Sequence, residues 1–408
     1  MGPSFCRSIK GDDMGLYLDE RTKTLWDKRT LEEYELSDDC FSLLRGYLSG
    51  STGIDVENVE LLRSALKDVG IDISQICLLN GFSRTLQTPV VHIIRSCNSR
   101  CLICDCWKTR LDYYIDAADL RQFWAEAKKC GAQSVMLTGG EPLLHPQLLT
   151  IIQDAHDAGL GVELNTNAIL LDREMRRRLS CIDALIVSID GFTSDDYKMV
   201  RGVDALQQVA ENVLDFTRDN EDVLVGIRCT VTNGVLSHLK ECVSFAEALG
   251  VDVVSFSPLD STSSSFGRNM NEKRALDIKE RFLPSLAEVE SYLIDLQVGR
   301  GISELIAQSY REGIFSWNCA DFQLCLQYYK GVLEGKIPEE LASEMPCSFP
   351  RSSLVVDYDG AVLPCFYSRS QVDLESFTSD AWNPLEFCRL AEMSGSCSGC
   401  RGKVFCGA

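Results

Sequence analysis

Between about residues 89 and 259 one pattern repeats six times: a short apolar run rich in Val and Ile, a loop, then an amphipathic stretch. The runs are 89–95 (PVVHIIR), 134–140 (SVMLTGG), 161–167 (GVELNTN), 184–190 (ALIVSID), 224–233 (LVGIRCTVTN) and 251–259 (VDVVSFSPL). Near-continuous apolar runs are expected of parallel strands covered on both faces, and helical crossovers of one hand would wind the six into an open, partial (β/α)6 barrel. In such an α/β sheet chemistry belongs at the carboxyl ends of the strands. Polar residues and glycines gather there. The first run leads into Cys97, the second ends on Gly139-Gly140-Glu141-Pro142, the third on Asn165-Thr166-Asn167 and the fourth on Ser188-Ile189-Asp190-Gly191.

The flanks read differently. Residues 1–88 are expected to form a small α+β domain, with strands at 16–19 and 24–26 around a Glu20-Arg21 turn and helices near 37–48 and 56–69. Residues 260–345 open on a loop at 261–265 and then read as a helical connecting region. From 346 to 408 glycine, proline and cysteine dominate and helical periodicity fails, so a core there would need metal staples.

Nineteen cysteines in 408 residues are the compositional anomaly. No apolar run reaches the eighteen or so residues of a membrane span, and the N-terminal sequence lacks the layout of a signal peptide, so the expected location is the cytoplasm, with no membrane partner. Disulfides are rare in that reducing setting; clustered cysteines then suggest metal ligands and scattered ones small buried apolar residues. A formal charge of −20 argues against nucleic acid and anionic lipid as partners and fits a neutral or cationic substrate, although surplus carboxylates equally serve solubility.

The segment Cys97-Asn98-Ser99-Arg100-Cys101-Leu102-Ile103-Cys104 places three thiols on a tight loop directly after the first strand. Three thiolates can hold three irons of a [4Fe–4S] cluster and leave the fourth iron open. A structural zinc site would want four protein ligands, usually as two separate pairs.

These residues, with Gly-Gly-Glu-Pro after the second strand and Ser-Ile-Asp-Gly after the fourth, resemble the radical SAM superfamily over about residues 89–259. The resemblance implies that S-adenosylmethionine (SAM) chelates the open iron through its amino and carboxylate groups. One electron from the reduced cluster would then cleave it to methionine and a 5′-deoxyadenosyl radical. It further implies that Gly139, Gly140 and Glu141 bind the methionine amino group, that Ser188 reaches the ribose or carboxylate, that Thr166 and Asn167 reach the ribose, and that Ile103 touches adenine. Arg228, on the fifth strand, is a candidate partner for the carboxylate because its planar fork suits two oxygens. Glu141 could instead cap a helix, and Arg228 could form a barrel-end ion pair. Cys106 reads as spare, Trp107 as packing under the loop, and His92 and His145 as structural. A low-potential electron donor such as flavodoxin or ferredoxin is the implied protein partner.

A second cysteine set lies in the C-terminal region. The run 355–365 (VVDYDGAVLPC) reads as a hairpin whose Asp-Gly turn presents Cys365 at the end of its second strand. With Cys347, Cys397, Cys400 and Cys406 this resembles the SPASM and twitch extensions of radical SAM enzymes, which bind auxiliary iron–sulfur clusters. The chain stops at Ala408, short of the further cysteines of a full SPASM domain. The twitch form is therefore expected, with one auxiliary [4Fe–4S] cluster on Cys347, Cys365, Cys397 and Cys400 and with Cys406 as a leftover or alternative ligand; zinc is the rival metal there.

Two substrate classes follow. Residues 1–88 resemble the small winged recognition domain with which many peptide-modifying radical SAM enzymes hold a leader, which implies a ribosomally made peptide; a degenerate or purely structural N-terminal cap is the alternative. The alternative is dehydrogenation or epimerisation of a small natural product such as an aminocyclitol, aminoglycoside or nucleotide sugar. A non-catalytic metal scaffold is the third reading. Cys319 and Cys325, outside both cysteine sets, read first as small buried apolar side chains on a helix, with hydrogen-atom donation to a substrate radical as the alternative.

Overall fold

The structure, a computed structural model, describes residues 16–19, 23–27, 32–49, 56–68, 71, 73, 76–78, 86–108, 113–259, 271–298, 316–317, 319–335, 353–365 and 371–378. The chain divides into two compact units, Met1–Ser83 and Arg84–Ala408.

In the first unit β1 (Leu16–Asp19) pairs antiparallel with β2 (Thr24–Asp27), which pairs with β3 (Glu32–Glu35). The helices α1 (Asp38–Ser49) and α2 (Val56–Asp68) follow, and β4 (Ile76–Leu78) returns parallel to β1, giving the strand order β3-β2-β1-β4. Leu18, Leu25, Leu44, Val59, Leu62 and Ile76 form its separate core. The hairpin and both helices stand where the sequence pattern places them. β3 and β4 escape it, because four acidic-rich residues and three apolar ones are too short to show a period.

The second unit holds the six parallel strands β5 (Val90–Ile94), β6 (Ser134–Gly139), β7 (Gly161–Thr166), β8 (Ala184–Ser188), β9 (Leu224–Val231) and β10 (Val253–Pro258). Each strand pairs with the next in sequence. Between them run α3 (Ala117–Lys129), α4 (Leu148–Asp157), α5 (Arg173–Arg178), α6 (Ser194–Arg201), α7 (Leu206–Asp219), α8 (Asn233–Ser237) and α9 (Leu239–Leu249). Burial alternates along the strands. Val135 and Leu137, Val162 and Leu164, Leu185 and Val187, Val225 and Ile227, and Val254 and Phe256 pack into the core with Leu120, Phe123, Ile151, Val213 and Val243 of the helices. The opposite face carries half-buried and mostly polar residues: Thr138, Glu163, Asn165, Ser188, Arg228, Ser255 and Ser257. This is the α/β fold expected, with a polar inner face that opens at the strand ends.

Residues 84–88 belong to this unit and not to the N-terminal one. Leu86 is buried in its core, the Leu86 amide donates to the Cys130 carbonyl (3.1 Å), and the Thr88 hydroxyl shares a hydrogen bond with Ser134 (2.9 Å). After β10 come α10 (Glu272–Phe282), α11 (Leu286–Val298), β11 (Ser316–Trp317), which pairs parallel with β10, and α12 (Cys319–Leu333). The expected C-terminal hairpin is present as β12 (Val355–Val356) and β13 (Ala361–Leu363), joined by β14 (Val372–Asp373). It does not stand apart: β12 pairs parallel with β5 and continues the barrel sheet. Gly360, at φ +82°, makes its turn. Among the described residues no helix is long and apolar enough to cross a membrane.

Candidate functional site

The cysteine loop is held on three sides by main chain. Gly139 leaves β6 at φ +141°, and a Cβ there would come 2.1 Å from the Ile94 carbonyl oxygen; one on Gly140 would come 2.1 Å from the carbonyl oxygen of Ser96. Only glycine permits this approach, and it lets the Gly140 amide donate to Ile94 (2.6 Å) and the Glu141 amide to Ser96 (2.8 Å). On the far side the Arg100 and Leu102 amides donate to the carbonyls of Arg201 and Val200 at the end of α6, both at 3.0 Å. From below, the Trp107 indole N–H is shared between the carbonyls of Cys101 (3.2 Å) and Cys104 (3.0 Å). Arg274 of α10 reaches the Asp105 carboxylate and the Leu102 carbonyl.

Each of the three thiols meets an N–H group. The Ser99 amide lies 3.4 Å from Cys97 Sγ, Arg201 Nη1 3.9 Å from Cys101 Sγ, and the Cys106 amide 3.5 Å from Cys104 Sγ. Such donors suit anionic sulfur. Burial pushes the Cys97 thiol up to about 12, with the Glu141 carboxylate adding to it, and burial pushes Cys101 up to about 11. These thiols therefore stay protonated until a positive partner arrives, which is the chemistry of metal ligands. Among the described residues no three His, Cys, Asp or Glu side chains converge on a point fit for a single metal ion. A [4Fe–4S] cluster presents three separate iron corners, and three spaced thiols fit that demand.

Glu141 is 1% exposed. Its carboxylate accepts from the Thr166 hydroxyl (2.6 Å), the Asn167 amide (2.8 Å) and the Leu143 amide (3.0 Å). Burial holds its pKa above the ordinary carboxylate value, and these three donors work against that shift. The carboxylate thus caps Pro142–Leu144 and ties β7 to the glycine loop. Thr166 is turned to Glu141 and accepts from the Ala168 amide (2.9 Å). The Asn167 side-chain amide donates to Asn98 (2.7 Å) and Ser99 (3.3 Å), with Cys97 Sγ at 3.8 Å. Both brace the cysteine loop. Glu141→Ala is expected to leave three buried donors without an acceptor and to cost on the order of 3 kcal/mol, with Glu141→Gln milder. Thermal unfolding of the two variants checks it, and equal melting temperatures would remove the bracing role.

Ser188 and Arg228 sit opposite one another in the β8–β9 register, both half-buried on the inner face, with Ser255 beside Arg228. Ile103 is partly buried against the main core. Asn165 stands in the sequence among the polar strand ends but is given no role there. Its Oδ1 is buried with no hydrogen-bond partner among the described residues, while its amide lies 3.2 Å from Met136 Sδ. Strand parity could have found it, since Val162 and Leu164 point to the helices and so turn Asn165 inward. Arg201 was missed as well. It pairs with Asp190 at 2.7 Å, and its signal was the Arg-Gly at a helix end after Ser-Ile-Asp-Gly. His145 is structural as expected: one ring nitrogen meets the Ile115 carbonyl (2.9 Å) and the other accepts from the Gln147 amide (3.0 Å).

Of the second cysteine set only Cys365 lies among the described residues, buried with Val90, Val355, Met136 and Leu363. Cys347, Cys397, Cys400 and Cys406 lie outside them. Cys325 of α12 is fully buried. Its helix packs on the outer face of β10, where Phe322 meets Phe256 edge-on at 5.0 Å, so Cys325 does not face the barrel interior and the hydrogen-donor reading fails for it. The side chain of Cys319 lies outside the described residues.

The model of the Radical SAM superfamily matches residues 91–235. A probable GTP 3′,8-cyclase of Saccharolobus solfataricus is 30% identical over 139 residues, which is 33% of this chain and 45% of that one. The chain thus spans less than half the length of that curated relative. Among solved structures, Streptococcus suis SuiB bound to S-adenosylmethionine is similar over 91% of this chain and 87% of its own, with TM-score 0.54 and 18% identity. SuiB bound to precursor peptide SuiA matches at TM-score 0.54 and 16% identity over 90% of this chain and 86% of its own. anSMEcpe with bound AdoMet and Cp18Cys peptide matches at TM-score 0.53 and 17% identity over 78% of this chain and 88% of its own. Residues 91–235 are thus a domain of the radical SAM superfamily, whose members use a [4Fe–4S] cluster and S-adenosylmethionine.

Proposed function

We propose that this chain cleaves S-adenosylmethionine reductively and uses the resulting radical to modify a ribosomally made peptide. The observation that carries the first half is the loop of three thiols, each supplied with an N–H donor and carried on a glycine pair. When bound, the cluster would supply the open iron and the electron for sulfonium cleavage, with Cys97, Cys101 and Cys104 as its ligands. Gly139 and Gly140 place backbone beside it. Ser188 and Arg228, facing inward at the strand ends, are the proposed partners of the SAM ribose and carboxylate, and Asn165 offers one free acceptor to the same space. Cys365, with Cys347, Cys397 and Cys400, is the proposed auxiliary-cluster set, with Cys406 in reserve. Electrons would come from a flavodoxin- or ferredoxin-like donor.

The peptide half rests on the N-terminal unit. The likeness to SuiB covers 91% of the chain and leaves fewer residues unmatched than the 83 of that unit, so it extends into it, whereas the anSMEcpe likeness covers 78%. A hairpin-edged sheet backed by two helices is suited to adding an extended leader as a further strand. Removing residues 1–83 should leave uncoupled 5′-deoxyadenosine formation within about twofold and abolish turnover of short precursor peptides encoded beside this chain. Equal peptide turnover by both forms would reject the recognition role. The likeness to GTP 3′,8-cyclases supports a second reading, a small-molecule substrate; a sugar or nucleotide that raises 5′-deoxyadenosine output where no peptide does would decide for it.

A further inference from the structure

Helix α6 ends on Arg201 because Gly202 takes the left-handed conformation at φ +68°, where a Cβ would come 2.2 Å from the Arg100 carbonyl oxygen. The helix end therefore lies flat on the cysteine loop, bonded to the residues on both sides of Cys101. In the loaded protein this brings one cationic side chain against one corner of the cluster. The Arg201 side chain is largely buried, 12% exposed; its Nη2 is 2.7 Å from Asp190, and its Nη1 is 3.9 Å from Cys101 Sγ. Asp190 is fixed in turn by the Thr230 amide at 2.7 Å. Two donors here have no acceptor among the described residues: Arg201 Nε and, one turn earlier on the same helix face, the hydroxyl of the fully buried Tyr197. The charged neighbours of Tyr197 are Arg201, Cys101, Asp190 and Glu141. Buried donors without acceptors are costly, and cluster sulfur would supply acceptors at this spot.

We propose that Arg201 is a positioning residue that sets how readily the cluster on Cys97, Cys101 and Cys104 is reduced: oriented by Asp190, its guanidinium holds a buried positive charge and hydrogen-bond donors against the Cys101 corner. A [4Fe–4S] cluster in its 2+ state with three thiolates carries one net negative charge. Reduction adds one electron from an external low-potential donor, makes no bond, breaks none and moves no proton, so the product carries two. A fixed cation nearby favours the more negative state, and the Asp190 carboxylate moderates it. Tyr197 adds a neutral donor to the same corner.

The inference rests on the cluster assignment, and a dithionite titration of the reconstituted full-length protein followed by EPR separates the two. Addition of SAM identifies the signal of the cluster with the open iron; absence of any SAM-sensitive signal in the wild type would mean the cluster assignment has failed. Given that signal, Arg201→Met should lower the equilibrium constant for its reduction about tenfold, a shift of about 59 mV for one electron. Asp190→Asn should shift it the opposite way, and Arg201→Lys should restore part of the loss. A purely structural role predicts changes in iron content without opposite shifts. If Arg201→Met loads with iron and titrates like the wild type, the inference is overturned; if that variant fails to load, Asp190→Asn decides, and an unchanged or lowered constant overturns it.

Discussion

Replacing Cys97, Cys101 and Cys104 together by alanine should remove about four irons per chain, one cluster's worth, and abolish 5′-deoxyadenosine formation. The expected effect is large because the three sulfurs act as a unit. Each holds one corner, and the neighbouring thiol is poorly placed to substitute: Cys106 is buried and turned to Cys104, whose sulfur its own amide contacts at 3.5 Å. That neighbour and burial together push the Cys106 thiol well above its ordinary range, so it would stay protonated. Iron analysis and chromatography of reaction mixtures read both quantities. A triple variant that still forms 5′-deoxyadenosine would displace the active site from this loop. A single Cys106→Ala variant should keep iron and activity, which separates ligand from bystander.

The sheet was legible because each of the six strands, five to eight residues long, carries Val, Leu, Ile or Phe at its core-facing positions and ends near glycine or polar residues. The three-cysteine loop was legible because ligand spacing is local. What was not legible is where side chains near a strand end turn. Asn165-Thr166-Asn167 reads as three polar residues at a barrel mouth, yet the period of two sends Thr166 outward to Glu141 while Asn165 faces the interior. The bonds from Thr166 and Asn167 to Glu141 were not legible, because these residues lie about twenty-five positions away and only the fold brings them close. Arg201 was invisible for the same reason: its partners, Asp190 and Cys101, are joined to it by the fold and not by spacing. The hairpin at 355–363 was read correctly as a hairpin, but its parallel pairing with β5 is a long-range contact that no local pattern announces.

Gly140→Ala should be the most damaging single methyl in the barrel. Its Cβ would stand 2.1 Å from the Ser96 oxygen, 2.2 Å from the Arg95 oxygen and 2.5 Å from the Ser96 carbonyl carbon, all main-chain atoms that no rotamer change can move aside. Relief requires β6 and the start of the cysteine loop to part. The amides of Gly140 and Glu141 would then lose Ile94 and Ser96 as acceptors, and Glu141 would be drawn away from Thr166 and Asn167. Overpacking and two lost buried hydrogen bonds together cost about 3 kcal/mol or more, a fall of several degrees in Tm for a unit of this size. Function should suffer beyond stability, because the displaced segment runs directly into Cys97. Iron content of the variant, measured well below its Tm, should fall by about four per chain while Gly335→Ala, where a Cβ meets nothing within 4 Å, keeps its full load. Gly335 stands at φ +72° whereas Gly140 lies outside the positive-φ region, so the control carries a backbone strain that Gly140 lacks and none of its collision. If both variants load iron equally, close approach does not explain the glycine, and the glycine pair does not hold the cysteine loop.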